Sequence, residues 1–386
     1  MFNNLRELIL SMPTEKACRE YLAKQRWVDG KATCPYCGHG KCYSIEDGER
    51  YKCASKECYK RFKITVGTIF EASNIPLSKW FTAIYLVTAH KKGISSYQLG
   101  KDIGVTQKSA WFMLHRVREV MRSKVSDKLN NVVEVDEVYI GGKVPNMSKS
   151  KRKKLRDEGN TYNTKSMVMG ILERGGELKL IPVHTANNLA LMQNTVKANV
   201  NKDADLVIDS HAGYTGFNKE FKSHEVVNHS SQEYVREGNI HTNSIEGAFS
   251  LLKRSIIGIY HQVTPKHLNM YCSETMFRYN LRDMKDADRF KLSLSMVEGR
   301  LTYKDLINSP TPVKAPSKIT VPIIDRTTLN AKVKGRPVCQ LFDGEIVGQF
   351  DSIKQAHEIT GISLQNISKV LRGLRPTTGG YQWIYA

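Results

Sequence analysis

The sequence predicts an α/β protein, preceded by a metal-stabilised segment and a run of helices and followed by a small second unit. Three observations carry this. Residues 129–290 alternate β-branched runs with amphipathic ones. Four of the eight cysteines gather between residues 34 and 58 in paired spacing. A Pro-, Thr- and Lys-rich run, 308–337, separates this body from a compact C-terminal stretch, 338–386. The segments are therefore 1–75, 76–128, 129–290, a connecting segment 291–337, and 338–386.

The first segment contains CPYCGHGKCYSIEDGERYKCASKECYKRF. Cys34 and Cys37 form a CxxC knuckle, with Gly38 available to turn the chain. Cys53 and Cys58 supply a second pair across a loop. Two knuckles on adjacent hairpins make a tetrahedral thiolate site for structural Zn²⁺, a zinc ribbon. Such a site lets a small segment fold with little core. The second pair is spaced CxxxxC, wider than usual, and Cys42 is a spare candidate ligand. Tyr51 and Phe62 are expected to pack on the ribbon.

Residues 78–122 are helical in pattern. GISSYQLGKDIGVTQKSAWFMLHRVREVM has helix-turn-helix grammar: a helix from about Ser95, a turn at Gly104, and Thr106 capping the next helix. The second helix offers Gln107, Lys108 and Ser109 near its start to a DNA groove; a plain helical hairpin fits the same pattern.

VVEVDEVYIGG reads as a strand carrying Asp136. SMVMGILERGGELKLIPV reads as two strands joined through Gly175-Gly176. NNLALMQNTVKANV is a helix. DLVID is a short buried strand ending at Asp209, EVVNHS another strand, and HTNSIEGAFSLLKR an amphipathic helix with Ile245, Phe249 and Leu252 on one side. A three-strand meander followed by alternating helices and strands is the order of a ribonuclease-H-like fold. There the middle of strand one, the end of strand four and a later helix converge, at Asp136, Asp209 and Glu246. Convergent carboxylates hold Mg²⁺ or Mn²⁺. Two such ions can activate a water or 3′-hydroxyl and stabilise the leaving oxygen of a phosphodiester. His229 and His241 lie close to the acids in sequence, and hydrogen-bonded structural roles are expected for both. Tyr260 and His261 are candidates to reach DNA, whereas Tyr271, Phe277 and Tyr279 read as core.

The charge balance fits a nucleic-acid partner. The net charge is +20 and the sequence pI about 9.5. Residues 1–128 carry 23 Lys/Arg against 12 Asp/Glu. A basic block at 143–165, with Lys151, Arg152, Lys153 and Lys154, reads as a flexible arm for DNA. No apolar run of transmembrane length appears. The N-terminus is a poor signal peptide, so a cytoplasmic, nucleoid-associated protein is expected.

CPYCG, GTIFEASNIPLSKWFTAIYL, KKGISSYQLGKDIGVTQKSAWFMLHRVR, VEVDEVYIGG, HTNSIEGAFSLLKR and GIYHQVTPKHLNMYCSETMFRYNLR occur in this order over roughly residues 20–285. In these the chain resembles the bacterial insertion-sequence DDE transposases of the ISXO-two-like group. The resemblance implies binding to the terminal inverted repeats of a transposon, phosphodiester hydrolysis and DNA strand transfer. It also implies Asp136 and Asp209 as metal-binding acids for the Mg²⁺ ions, double-stranded DNA as partner, and a homodimer or higher oligomer that pairs two ends. For the third acid, related transposases place Lys or Arg seven residues after the catalytic Glu, the spacing of Glu246 and Lys253. Two turns separate them, about 10 Å along one helical face. Lys253 is then set to contact the phosphate being cut, with Arg254 beside it. Some members are described with Asn at the third position, which makes Asn243 the competitor. The chain departs from the family pattern in IDSHAGY, where an acidic residue more usually follows the second Asp, and in the widened second cysteine pair.

Residues 338–386 resemble the nuclease-associated modular DNA-binding domain at the ends of homing endonucleases. The features are a hairpin about Asp343-Gly344, then FDSIKQAHEITGIS, NISKVLRG and GGYQWIYA. Helices near 352–360 and 363–372 form a second helix-turn-helix, with Ser363, Gln365 and Asn366 starting its second helix. With four basic and four acidic residues, this unit is expected to read DNA by shape and base edges rather than bulk charge. Two other functions fit the same motifs: a site-specific endonuclease that cuts without joining, and a catalytically inactive DNA-binding regulator.

Overall fold

The structure is a computed structural model. It describes residues 2–27, 29–122, 128–142, 144–157, 165–183, 189–209, 216–217, 220–227, 240–308, 338–342, 345–371, 375 and 377–385. The chain forms two compact units, residues 1–319 and 320–386.

The first unit opens with α1 (Leu5–Ser11) and α2 (Glu15–Arg26), each started by a side-chain cap, Asn4 to Glu7 N–H and Thr14 to Ala17 N–H. A three-stranded antiparallel ribbon follows: β1 (Cys42–Ile45), β2 (Arg50–Cys53) and β3 (Arg61–Lys63). Helix α3 (Leu77–Ala89) is apolar around most of its circumference, as a helix enclosed on all sides must be. Its N-cap position is Pro76, which has no capping side chain. Glu15 of α2 supplies the cap instead, accepting from Leu77 N and Ser78 N at 3.0 Å each.

Helices α4 (Ser96–Ile103) and α5 (Gln107–Met121) sit where the sequence places them. Ser95 caps the first, Gly104 makes the turn with φ +62°, and Thr106 caps the second. Gly104 is needed there because a left-handed φ is unstrained only without a Cβ.

Two boundaries move. Residues 1–75 and 76–128 are not separate domains, because Leu8, Leu22, Trp80, Phe81, Leu99 and Val117 share one core. Residues 291–308 are not linker. Helix α10 (Asp286–Ser295) places Phe290 in that core against Phe2 and Phe81, and Ile69 N–H bonds Val297 O. Helix α11 (Tyr303–Asn308) is the last described element of the first unit. The apolar periodicity of residues 287–297 returns the chain to its own start. The rest of the proposed linker, 309–337, lies outside the described residues.

The second layer system is a five-stranded sheet in the order β6-β5-β4-β7-β8. The strands are β4 (Val132–Ile140), β5 (Ser166–Glu173), β6 (Leu178–Val183), β7 (Asp205–Asp209) and β8 (Ser223–Val227). The first three form an antiparallel meander, and β7 and β8 add in parallel. This is the ribonuclease-H-like arrangement that the element order predicts. Alternation sorts the strands' side chains onto two faces. One buries Val133, Val135, Met169 and Ile208 against Met192 and Val196 of α7 (Leu189–Asn199). The other buries Val138, Val168 and Leu180 against Ile245, Phe249 and Leu252 of α8 (Asn243–Ser255) and Leu268 and Cys272 of α9 (Leu268–Asn280). The basic block is not wholly an arm: Lys149–Asp157 forms helix α6, and residues 158–164 lie outside the described residues.

A buried charge cluster joins α5 to α9. Glu274 takes Arg118 Nε at 2.7 Å, an ion pair from Arg278, and the Tyr260 hydroxyl at 2.5 Å. Arg118 also lies over the Tyr271 ring, 4.0 Å from its centroid. Tyr260 is therefore an internal anchor rather than a DNA contact; Tyr271 and Phe277 are buried core, as expected. Burial opposes the Glu274 carboxylate, but Arg278 and Arg118 outweigh it and bring it down to about 2. A lowered folded pKa stabilises the fold above the unfolded value near 4.5, and that contribution is lost as pH falls toward 2. Glu274→Ala leaves two buried cations without a counter-charge. Urea unfolding at pH 7 is expected to register a loss of about 3–5 kcal/mol.

The second unit pairs β9 (Val338–Phe342) with β10 (Glu345–Phe350) and β11 (Gln382–Tyr385) in the order β10-β9-β11. Helices Ile353–Thr360 and Leu364–Leu371 close over Val338, Ala356, Ile367 and Trp383. Gly361 turns between them with φ +70°. The hairpin turn expected at Asp343-Gly344 lies outside the described residues. No helix among the described residues is long and apolar enough to cross a membrane.

Candidate active site and metal centre

The four ribbon cysteines converge. The Sγ atoms of Cys34, Cys37, Cys53 and Cys58 all lie within 4.8 Å of one another, with Cys34–Cys58 at 3.9 Å and Cys37–Cys53 at 3.6 Å. A tetrahedral site with bonds of about 2.3 Å needs sulfurs about 3.8 Å apart, so the donor set fits Zn²⁺. The wide CxxxxC spacing is absorbed by the Ser55–Tyr59 turn, and Ser55 N–H donates to Cys53 Sγ at 3.4 Å. At Cys34 burial works against the thiolate, but the Tyr36 and Cys37 N–H groups outweigh it and bring it down to about 7. The spare Cys42 stays outside the group, its thiol 3.9 Å from His39 O. Tyr51 stacks on Phe62 at 5.7 Å, with the Trp27 ring edge-on at 4.9 Å.

At the start of α5, Gln107 and Lys108 are exposed and Ser109 half-buried. Gln107 Nε2 donates to Ser96 Oγ at 2.9 Å, Ser109 N–H donates to Thr106 Oγ1, and Lys108 lies over the Tyr303 ring at 5.4 Å. On α6 Lys153 and Lys154 are exposed and Arg152 half-buried; the Lys151 side chain lies outside the described residues. In the second unit Ser363 and Gln365 are exposed and Asn366 half-buried at the start of the Leu364–Leu371 helix.

The carboxylates are placed by the sheet. Val135 pairs with Ile208 across the parallel β4–β7 ladder, so Asp136 and Asp209 follow at the same level on adjacent strands. Asp136 is half-buried, and its Oδ1 accepts from Glu137 N–H at 2.7 Å. Only the backbone of Asp209 is described, at the C-terminal end of β7. Alternation puts Asp136 on the face shared with Glu134 and Val138, where α8 lies.

On α8 the apolar side is Ile245, Phe249 and Leu252. At about 100° per residue, Glu246 and Lys253 fall on one flank of that side, about 20° apart. Asn243 falls about 160° from Ile245, toward the outer side. All three are exposed, and Arg254 Nε is spent on Ser250 O at 3.1 Å.

Two residues that the sequence reading did not single out shape this site. Glu134 is fully buried. Its Oε1 takes Arg174 Nε at 2.6 Å, and its Oε2 accepts Ile245 N–H at 2.9 Å. His241 Nδ1 stands 3.5 Å from Glu134 Oε1, and its carbonyl takes Arg174 Nη2 at 2.6 Å. That gives His241 the hydrogen-bonded structural role expected of it; His229 lies outside the described residues. The second residue is Gly170, directly across the ladder from Asp136. A Cβ there would meet Phe249 Cε1 and Cζ at 2.6 Å and Ile245 Cδ1 at 2.7 Å. The sequence held a signal for each: an acid two residues before Asp136 in a strand shares its face, and glycine inside an apolar strand marks a close approach.

Comparison with known proteins agrees with this arrangement. Residues 128–280 match the family model of the ISXO2-like transposase domain, and residues 13–61 match the transposase zinc-ribbon domain. Residues 343–383 match the DNA endonuclease I-HmuI-like, NUMOD-like domain. An uncharacterized protein in transposable element ISH50 of Halobacterium salinarum is 28% identical over 258 residues, covering 64% of this chain and 84% of that protein.

Proposed function

We propose that this chain, which carries an ISXO2-like transposase domain behind a transposase zinc ribbon, cuts and rejoins DNA at the terminal inverted repeats of its element. The observation that carries the reading is the register of β4 and β7, which brings Asp136 and Asp209 to the same level beside the face that α8 covers. With Glu246 on the exposed flank of α8 beside its apolar side, three hard oxygen donors suit a pair of Mg²⁺ or Mn²⁺ ions. The chemistry supplied by such a pair is activation of a water or 3′-hydroxyl and stabilisation of the leaving oxygen.

The chain's own residues bind and orient. Lys253, two turns along the flank that carries Glu246, contacts the phosphate of the end being cut. Glu246 is preferred to Asn243 as the third ligand because it lies nearer the apolar side of α8, about 100° from Ile245 against about 160°, and has Lys253 two turns on. The zinc ribbon and α4–α5 hold the transposon end, and Lys153 and Lys154 of α6 neutralise backbone phosphate. The Leu364–Leu371 helix adds base contacts through Ser363, Gln365 and Asn366. Two ends must be paired, so the working form is a homodimer or larger, on nucleoid DNA in the cytoplasm.

The test is incubation with end-sequence DNA, a target plasmid and Mg²⁺. Joined products are expected. Cleavage without joining makes the protein a site-specific endonuclease, and binding alone makes it a regulator.

A further inference from the structure

Helix α8 reaches the sheet through a polar contact that its own N-cap does not provide. Thr242, at the cap position, makes no side-chain cap. The third residue of the helix, Ile245, gives its N–H to the buried carboxylate of Glu134 instead. A negative charge at a helix N-terminus is favoured by the helix dipole. Glu134 is itself held by Arg174, whose other nitrogen grips the His241 carbonyl just ahead of the helix. One carboxylate thus ties β4, the β5–β6 turn and the start of α8 together. Two residues further along β4, about 7 Å away, stands Asp136. One residue further along α8 stands Glu246. On the neighbouring strand, Gly170 leaves the space into which Phe249 and Ile245 descend.

We propose that Glu134 is a positioning residue for the metal-binding acids: it seats the first turn of α8 on the sheet, in the space left by Gly170, so that Glu246 stands at a fixed distance from Asp136. This rests on the reading of Asp136, Asp209 and Glu246 as metal ligands. Both oxygens of Glu134 are already engaged, one by Arg174 and one by Ile245 N–H, so it acts through α8 and not as a ligand.

The test measures Mn²⁺-dependent cleavage of end DNA alongside end binding, in the full-length chain. Wild type must cleave; if it does not, the functional reading itself fails, whatever the variants do. Glu134→Ala is expected to raise the Mn²⁺ concentration for half-maximal cleavage by at least about tenfold, the usual size of effect from a ligand-orienting partner. End binding, carried by other elements, is expected to stay within about twofold of wild type. Glu134→Gln keeps an oxygen for Ile245 N–H and is expected to recover most of the metal dependence. Gly170→Ala changes no charge but lifts α8, and is expected to shift the metal requirement in the same direction. Wild-type metal dependence in Glu134→Ala overturns the proposal. So does complete loss of cleavage in Glu134→Gln, which makes Glu134 a ligand. Loss of end binding in both Glu134→Ala and Gly170→Ala overturns it as well, because the contact is then general support for the fold.

Discussion

Asp136→Asn is expected to abolish metal-dependent DNA cleavage, by about 10³-fold or more, while end-DNA affinity stays within about twofold. The side chains are nearly the same size, and the Asn carbonyl still accepts the Glu137 N–H that Asp136 now takes at 2.7 Å. The sheet therefore keeps its form. What changes is charge: a neutral amide is a poor ligand for a hard dication, which prefers anionic oxygen. The loss should appear as failed chemistry at any Mg²⁺ concentration, not as weaker DNA binding. Gel-shift and cleavage assays on one preparation separate the two. A variant that still cuts at a tenth of the wild-type rate removes Asp136 from the site.

The second large effect lies in the ribbon. Cys53→Ser, or chelation of the metal, is expected to unfold the ribbon and remove specific end binding. The ribbon's own buried core amounts to Cys34, Cys53 and Phe62, worth a few kcal/mol on the scale of about 1.5–3 kcal/mol per fully buried large side chain. A structural Zn²⁺ site contributes about 10–16 kcal/mol, so metal binding, not apolar burial, holds these three short strands. The helices outside the ribbon keep their separate core about Trp80, Phe81 and Phe290, and far-UV circular dichroism should fall only slightly. Zinc content, dichroism and end binding measured together check this; a variant that loses its zinc yet binds ends normally contradicts it.

Much of this was legible in the sequence because it is local. The cysteine spacing, the Ser95–Gly104–Thr106 turn and the order of strands are each written within a few dozen residues, and each has a physical rule that reads it. Strand order sets the register of β4 and β7, and that register puts Asp136 and Asp209 at one level. What escaped depends on distant partners. Glu134 does not stand out in the sequence because its partners Arg174 and Ile245 lie 40 and 111 residues away. Leu294 and Val297 read as linker because the core they join is built from residues near the other end of the unit. The basic block read as a flexible arm on charge alone, yet Lys and Arg are good helix formers, and α6 uses them.

Counting Mn²⁺ on the protein bound to end DNA tests the central claim most directly. Competition-corrected electron paramagnetic resonance of the zinc-loaded protein should report two Mn²⁺ per protomer, falling to one or none in Asp136→Asn. Equal uptake by wild type and Asp136→Asn, or no uptake by either, would contradict a two-ion site built on Asp136, Asp209 and Glu246.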